Sequence, residues 1–203
     1  EESEIIDFLD YLDPDKNKDQ NNKKFKSWQH RRDLSIFYFL YSSGLRISEV
    51  LQFKMRDFPL KEFTKIKGKG DKERFIVVLD IVNEKIKNYL DDYCNFFDGI
   101  DILDEDPLFI KSIKGKKKSL SARDIQRTMK SHIENFEGNY PIFSTPHSLR
   151  HSFASHILRG GADIRTIQEL LGHSSLTSTQ IYTKLDEKSL LDIYDKSHPH
   201  SKG

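Results

Sequence analysis

Four residues in the segment that begins at His147 are of types suited to phosphate chemistry: His147, Arg150, His173 and Tyr182. The segment reads HSLRHSFASHILRGGADIRTIQELLGHSSLTSTQIYTK. His147 and Arg150 stand three apart, so a helix opened by Pro146 presents both on one face. The Leu-Gly-His-Ser-Ser run places His173 just past a helix end, and a polar stretch leads on to Tyr182. Two histidines, an arginine and a tyrosine on short helices with tight turns are the parts needed to hold a phosphodiester and attack it with a phenol.

The elements that must position these residues follow from the pattern of apolar positions. Ile5, Ile6, Leu9 and Leu12 suit a short amphipathic helix ended by Asp13-Pro14, and the polar stretch from Asp15 to Lys26 reads as a loop. Trp28 to Tyr41 has helical spacing, with Leu34, Phe37, Tyr38 and Tyr41 on one side, and a second helix after Gly44 buries Ile47, Val50 and Leu51. The period then changes. Phe63, Lys65 and Lys67 alternate with Thr64 and Ile66, Gly68-Lys69-Gly70-Asp71 supplies a turn, and Phe75 to Val78 reads as a strand, giving a hairpin with a lysine at its tip. Helix resumes over Val82 to Phe97. Asp98 to Lys118 is the least regular piece, with Pro107 to Ile110 as a third short strand. Ser121 caps a helix reaching Phe136, supported by Asp124 three residues on. Helices are expected at 147–159, 163–171, 175–182 and 186–195. The fold class is mainly α with one small antiparallel β-sheet (α+β).

Two further motifs precede the His147 segment: Ser43-Gly44-Leu45-Arg46-Ile47-Ser48-Glu49, and Gly68-Lys69-Gly70-Asp71-Lys72-Glu73-Arg74. With the His147 segment they resemble, in order and wording, the catalytic domain of the tyrosine recombinases, and most of all the Xer type. The resemblance runs from about Glu4 to about Pro199. It implies that Arg46, Lys69, His147, Arg150, His173 and Tyr182 form a catalytic set, with Glu49 and His151 in support. It also implies a separate helical DNA-binding domain ahead of residue 1 that this chain lacks. The segment 186–199 would then be a C-terminal helix that docks on a neighbouring subunit, in a homotetramer on paired DNA sites that is a monomer without DNA. Val78-Leu79 departs from the Pro-Leu usual in the family after the hairpin.

Transesterification at a DNA phosphate needs an in-line nucleophile, neutralisation of the charge that builds on the transition state, and a proton for the departing 5′ oxygen. A free phenol titrates near about 10, so Tyr182 needs cations or a base nearby. Arg46 and Arg150 can each offer paired donors to non-bridging oxygens, which lysine cannot copy. Such donors are worth roughly 3 kcal/mol each in comparable oxyanion sites. His147 at a helix N-terminus favours an anion. Lys69 on its turn can protonate the leaving oxygen, with Lys67 and Lys72 as rivals for that duty. His173 can donate to the phosphate or orient the tyrosine. The phosphotyrosyl bond conserves the energy of the broken phosphodiester, so the reaction calls for no metal, nucleotide or other cofactor.

Each residue alone has a plainer reading. Arg46 can cap a helix, Lys69 can be a solvated turn lysine, and Tyr38, Tyr41, Tyr89, Tyr93 and Tyr194 read as core or surface. His147 and His151 are spaced like zinc ligands but lack the acid of H-E-x-x-H, and Gly68-Lys69-Gly70 lacks the spacing of a nucleotide-binding loop. His132 and His156 read as structural; His30, His198 and His200 read as solvated. The set outweighs its members because all six occur in order. Three readings follow: a recombinase acting through Tyr182, a DNA-binding module of the same fold that no longer cuts, and a metal-dependent nicking nuclease. The last needs clustered acids near the motifs, and the sequence has none there.

Composition sets outer limits. A chain of 203 residues can bury one good core and a small appended lobe. Its 33 Lys and Arg nearly balance 32 Asp and Glu, so any nucleic-acid surface depends on distribution rather than total charge. Glu1 to Asp15 holds seven acids and no base, whereas Lys61 to Arg74 holds six bases against three acids, and Lys111 to Lys118 holds five lysines and no acid. Lys67, Lys72, Arg74, Lys116 and Lys117 are the expected contacts to double-stranded DNA. Cys94 is the only cysteine, which excludes an intrachain disulfide and a cysteine-rich metal site. The longest apolar run, Ile36 to Tyr41, is too short to span a bilayer, and the opening residues do not read as a leader. A soluble protein of a reducing compartment is expected, and the resemblance makes that compartment the bacterial cytoplasm.

Overall fold

The computed structural model describes residues 2–16, 27–68, 73–97, 101–113, 115–136 and 145–171. Its elements are α1 (Glu2–Leu12), α2 (Trp28–Ser43), α3 (Ile47–Val50), β1 (Phe63–Lys67), β2 (Glu73–Val77), α4 (Asp80–Phe96), β3 (Ile110–Ile113), β4 (Lys116–Ser119), α5 (Ala122–Glu134), α6 (Pro146–Arg159) and α7 (Ile164–Leu170). The expected helices at 175–182 and 186–195 lie outside the described residues.

Helix α2 is the axis. The Ser27 hydroxyl accepts from the His30 amide at 3.2 Å, and Gly44, at φ 60°, ends the helix in the left-handed conformation that glycine adopts without a Cβ penalty. Nearly every side chain between is buried, with Tyr38 and Tyr41 among the largest in the core. α4 and α6 pack against it most extensively, and α1 and α5 complete the cover. Helix α1 is tied on through a buried ion pair between Asp13, just past its end, and Lys85 of α4, at 2.8 Å. His30 is buried as well, not solvated as its sequence context suggests. Its Nε2 lies 2.6 Å from the Leu12 carbonyl, and a carbonyl only accepts, so that nitrogen carries the proton.

The expected β1–β2 hairpin forms, antiparallel, running from Phe63 opposite Val77 to Lys67 opposite Glu73. Two parts of the architecture differ from expectation. The helix after Gly44 is only four residues long, because the chain turns at Leu51. A second two-stranded hairpin, β3–β4, stands where irregular chain and a strand at Pro107 to Ile110 were expected. Gly115, at φ 75°, lies in the connection between its strands. The Ile110 carbonyl accepts from Arg32 at 2.7 Å, and Lys111 pairs with Asp124 of α5 at 2.5 Å. Lysine-rich strand β4 is therefore held by backbone pairing and by anchors at its partner.

The core has two parts. The larger surrounds α2. The smaller joins Val77 of β2 to Phe153 and Ile157 of α6 and to Ile167, Leu170 and Leu171 at α7. The smaller cluster fixes the hairpin, α6 and α7 relative to one another, and the candidate site lies among these elements.

Candidate active site

Short elements bring four charged side chains together around Glu49. Arg46 is the N-cap of α3, and Glu49 folds back on it: one carboxylate oxygen accepts from the Arg46 amide at 2.8 Å and the other from its Nη1 at 3.1 Å. From β2, Arg74 donates through both terminal nitrogens to the two Glu49 oxygens, each at 2.8 Å, and through Nε to the Leu170 carbonyl at 3.0 Å. From α6, Arg150 stands 3.8 Å from the same carboxylate. It donates to the Gly44 carbonyl at 2.6 Å and to the Leu171 carbonyl.

Local sequence explains why α6 can deliver Arg150 here. Thr145 caps the helix, accepting from the Ser148 amide at 3.2 Å, and Pro146 occupies the first turn, where its missing N–H costs nothing. Leu149, Arg150, Phe153, His156 and Ile157 form the inward face. Phe153 packs flat against Gly44, where any Cβ would run into its ring, so the close approach that brings the Gly44 carbonyl to Arg150 needs glycine at that position. One turn further on, His156 Nδ1 meets the Tyr41 hydroxyl at 2.8 Å in the core. That agrees with its reading as structural.

The electrostatics are lopsided. Burial works to raise the Glu49 carboxyl, but hydrogen bonds from Arg74 and from the Arg46 amide, with the charge of Arg74, outweigh it and hold the group below its ordinary value. The carboxylate is thus fully ionised at neutral pH. Burial, together with Arg46 and Arg74, pushes Arg150 down to about 10 against the pull of Glu49, which still leaves it a cation. Among the described residues, three guanidiniums against one carboxylate leave a surplus of two positive charges. Arg74 and Arg150 are almost wholly covered, whereas the Arg46 side chain is 37% exposed, so the surplus reaches solvent through Arg46. Such a site accepts an anion with tetrahedral oxygens.

Of the catalytic residues expected from sequence, Arg46 and Arg150 are brought together with Glu49 between them. Glu49 both caps its helix and holds neighbouring bases. His147 is exposed on the first turn of α6, and His151 is exposed one turn on. Lys69, Lys72, His173 and Tyr182 lie outside the described residues.

Two expected DNA contacts are placed otherwise. Arg74 is 4% exposed, with three of its five N–H donors bonded to protein, so its guanidinium is covered rather than presented to DNA. Lys117 is half-buried. Its ammonium donates to the Asp101 carbonyl at 2.6 Å and lies 3.4 Å from Asp106 and 5.9 Å above the Tyr93 ring, which makes it an anchor of the second hairpin. Lys67 and Lys116 are exposed. Two features went unread in the sequence. Strand alternation could have shown that Arg74 faces inward with Ile76 while Glu73 and Phe75 face out. Arg123, Arg127 and Lys130, at i, i+4 and i+7, form an exposed basic row along α5.

Comparison with known proteins gives the chain a family. The profile of the phage integrase family matches residues 10–189. A tyrosine recombinase XerC of Thermodesulfovibrio yellowstonii is 45% identical over 175 residues, covering 85% of this chain and 56% of the relative. One from Agrobacterium fabrum is 42% identical over 86% of this chain and 52% of its own. The chain spans about half the length of these curated relatives. Among solved structures, XerA recombinase superposes with a TM-score of 0.60 at 28% identity, over 97% of this chain and 64% of that one. XerH site-specific recombinase bound to its difH substrate superposes with a TM-score of 0.62 at 29% identity, over 93% of this chain and 50% of that one.

Proposed function

The chain belongs to the phage integrase family, and we propose that it cleaves and rejoins double-stranded DNA at specific sites through a covalent 3′-phosphotyrosyl intermediate. The observation that carries the proposal is the surplus positive charge around Glu49. Arg46 and Arg150, from separate helices, converge with Arg74 on the single Glu49 carboxylate, and Arg46 opens the excess positive charge to solvent. A phosphodiester entering there offsets one surplus charge, and the further negative charge that builds in the transition state is met by the other. The names of the relatives, tyrosine recombinase XerC, support the same reading.

In this mechanism Arg46 and Arg150 hold the non-bridging oxygens of the scissile phosphate, with His147 and His173 as further donors. The Tyr182 phenol gives its proton to water as its oxygen attacks phosphorus in line with the 5′ oxygen, and it recovers a proton from water when it is released. The phosphorus–oxygen bond to the 5′ side breaks as the tyrosyl bond forms, and Lys69 gives the leaving oxygen its proton. A 5′ hydroxyl from a second strand then attacks the phosphotyrosine and releases Tyr182, with the proton returning to Lys69. One ester is exchanged for another, so the sequence balances without an external energy source. The role of Glu49 is to hold the two arginines close at a fixed spacing despite their mutual repulsion.

A nicked suicide duplex carrying a candidate site, or a library of such duplexes, tests the proposal. With EDTA present, the chain is expected to form a denaturant-resistant adduct that Tyr182→Phe abolishes. An adduct that persists in Tyr182→Phe, or that EDTA removes, would overturn it. The same duplexes joined as paired sites test assembly. Four copies are expected on two sites, with residues 186–199 exchanged between neighbours, and removal of residues 186–203 should abolish pairing while leaving single-site cleavage.

A further inference from the structure

We propose that Arg74 is a positioning residue that sets the hairpin bearing Lys69 against Arg46 and against the end of α7; this rests on the strand-transfer reading above. Arg74 stands opposite Ile66 on the strand that leaves the Lys69 turn. It is 4% exposed, and its guanidinium makes three well-formed bonds: two at 2.8 Å to Glu49 and one at 3.0 Å to the Leu170 carbonyl. Each partner belongs to a different part of the site. Glu49 caps the helix that presents Arg46, and Leu170 ends α7, three residues before His173 in sequence. The next carbonyl, of Leu171, is taken by Arg150. Two arginines thus grip consecutive carbonyls where the chain heads for His173 and Tyr182, and one of them also roots the Lys69 hairpin.

A planar fork is required for this. Guanidinium can meet both oxygens of a carboxylate and still donate through Nε in another direction, whereas an ammonium is a point charge on a flexible stem. Arg74→Lys therefore keeps the charge and loses the triangulation. Val77 and its apolar neighbours hold the base of the hairpin, so losing two of the three polar contacts of Arg74 shifts its tip, and displacement of a reacting group by about 1 Å costs up to about a hundredfold in rate. The step most exposed to this is proton delivery from Lys69.

The test is single-turnover cleavage by the full chain on two nicked duplexes, one ordinary and one with sulfur in place of the 5′ bridging oxygen. A departing thiolate needs no proton, so the sulfur duplex bypasses Lys69, and Lys69→Ala serves as the reference for that bypass. Arg74→Lys is expected to slow the ordinary duplex by about tenfold or more and to cleave the sulfur duplex nearly as fast as the parent. The half-saturating DNA concentration and its salt dependence should stay as in the parent. Arg74→Gln, neutral and shorter, is run in parallel and should show the same split.

Equal slowing on both duplexes, or loss of a cooperative unfolding transition in both variants, would make Arg74 a general scaffold residue and overturn the proposal. Weaker binding with a salt slope reduced by about one would make it a phosphate contact. Unchanged rates on both duplexes would also overturn it. If the parent chain forms no adduct on either duplex, the strand-transfer reading itself fails, and the role given to Arg74 falls with it.

Discussion

At the α1 end of the molecule one buried lysine meets a buried aspartate, and at the α3 end three arginines meet one glutamate. Both clusters sit in the fold's interior, and both tie together elements far apart in sequence. The Asp13 and Lys85 side chains are 0% and 5% exposed, 2.8 Å apart, with Glu84 at 2.9 Å from the same ammonium. Burial works to lower the Lys85 ammonium, yet its carboxylate partners outweigh it and hold it above its ordinary value. There the two buried charges, Lys85 and Asp13, cancel, Glu84 meets the ammonium from the exposed side, and the pair can be closed over. Around Glu49 they do not cancel, and Arg46 stays open to solvent. Balance marks a joint, and imbalance with one open side marks a place for a missing anion.

Breaking the balanced cluster should have the largest effect on folding. Asp13→Asn leaves the Lys85 ammonium without its buried counter-charge and with only the exposed Glu84 beside it, and removal of one member of a buried pair costs up to about 3–5 kcal/mol. Urea unfolding should show that loss, while cleavage per folded molecule stays at the parent rate. Replacing both members with apolar residues, Asp13→Leu with Lys85→Met, should recover most of the stability. An Asp13→Asn protein as stable as the parent would remove the contrast between the two clusters.

The unbalanced cluster should respond the other way round. Arg150→Lys retains a positive charge but loses the geometry that reaches phosphate oxygens and the Gly44 and Leu171 carbonyls together. Cleavage at saturating DNA is expected to fall by about a hundredfold to a thousandfold, the range for removing one preorganised donor. The accompanying stability loss should be smaller, about 1–2 kcal/mol for the carbonyl bonds. A variant that unfolds as easily as Asp13→Asn but cleaves normally would make this cluster a joint as well.

The two clusters were not equally legible in the sequence. Arg46, Glu49 and Arg150 could be read because the motifs that hold them are local: a glycine that ends α2, a capping glutamate three residues on, and a proline that opens α6. The hairpin was legible from its alternation. Arg74 was misread because its basic neighbourhood suggested solvent, although strand period already placed it inward with Ile76. β4 was missed because Lys116 to Lys118 carry no apolar signal; pairing with β3 and anchors at Arg32 and Asp124 hold it. The Asp13–Lys85 joint was invisible, since nothing local to either residue announces a partner some seventy positions away. His30 looked solvated for the same reason: its burial depends on α1 and α5 closing over it.

His30 offers the smallest and most selective test, because it belongs to the balanced end and titrates where the arginines do not. Its ring lies against the Leu12 carbonyl of α1 and meets the His132 ring of α5 edge-on, at 5.1 Å between centroids. His132 in turn reaches Asp33 at 3.4 Å, and Arg31 flanks His30 on α2. Burial pushes His30 down to about 4, helped by His132 and opposed by the Leu12 carbonyl and Asp33. An unfolded chain would take up that proton near the ordinary value of 6.5, so it binds protons before the folded chain does. Stability from this group is therefore complete above about pH 6.5 and drains away as pH falls towards 4. By pH 5 the loss should be about 2 kcal/mol. His30→Gln, which keeps a nitrogen donor and cannot titrate, should lose correspondingly less between pH 7.5 and pH 5 in urea unfolding. Parallel pH profiles for parent and variant would show that acid acts elsewhere, and the closed end of the molecule would then owe nothing to a neutral histidine.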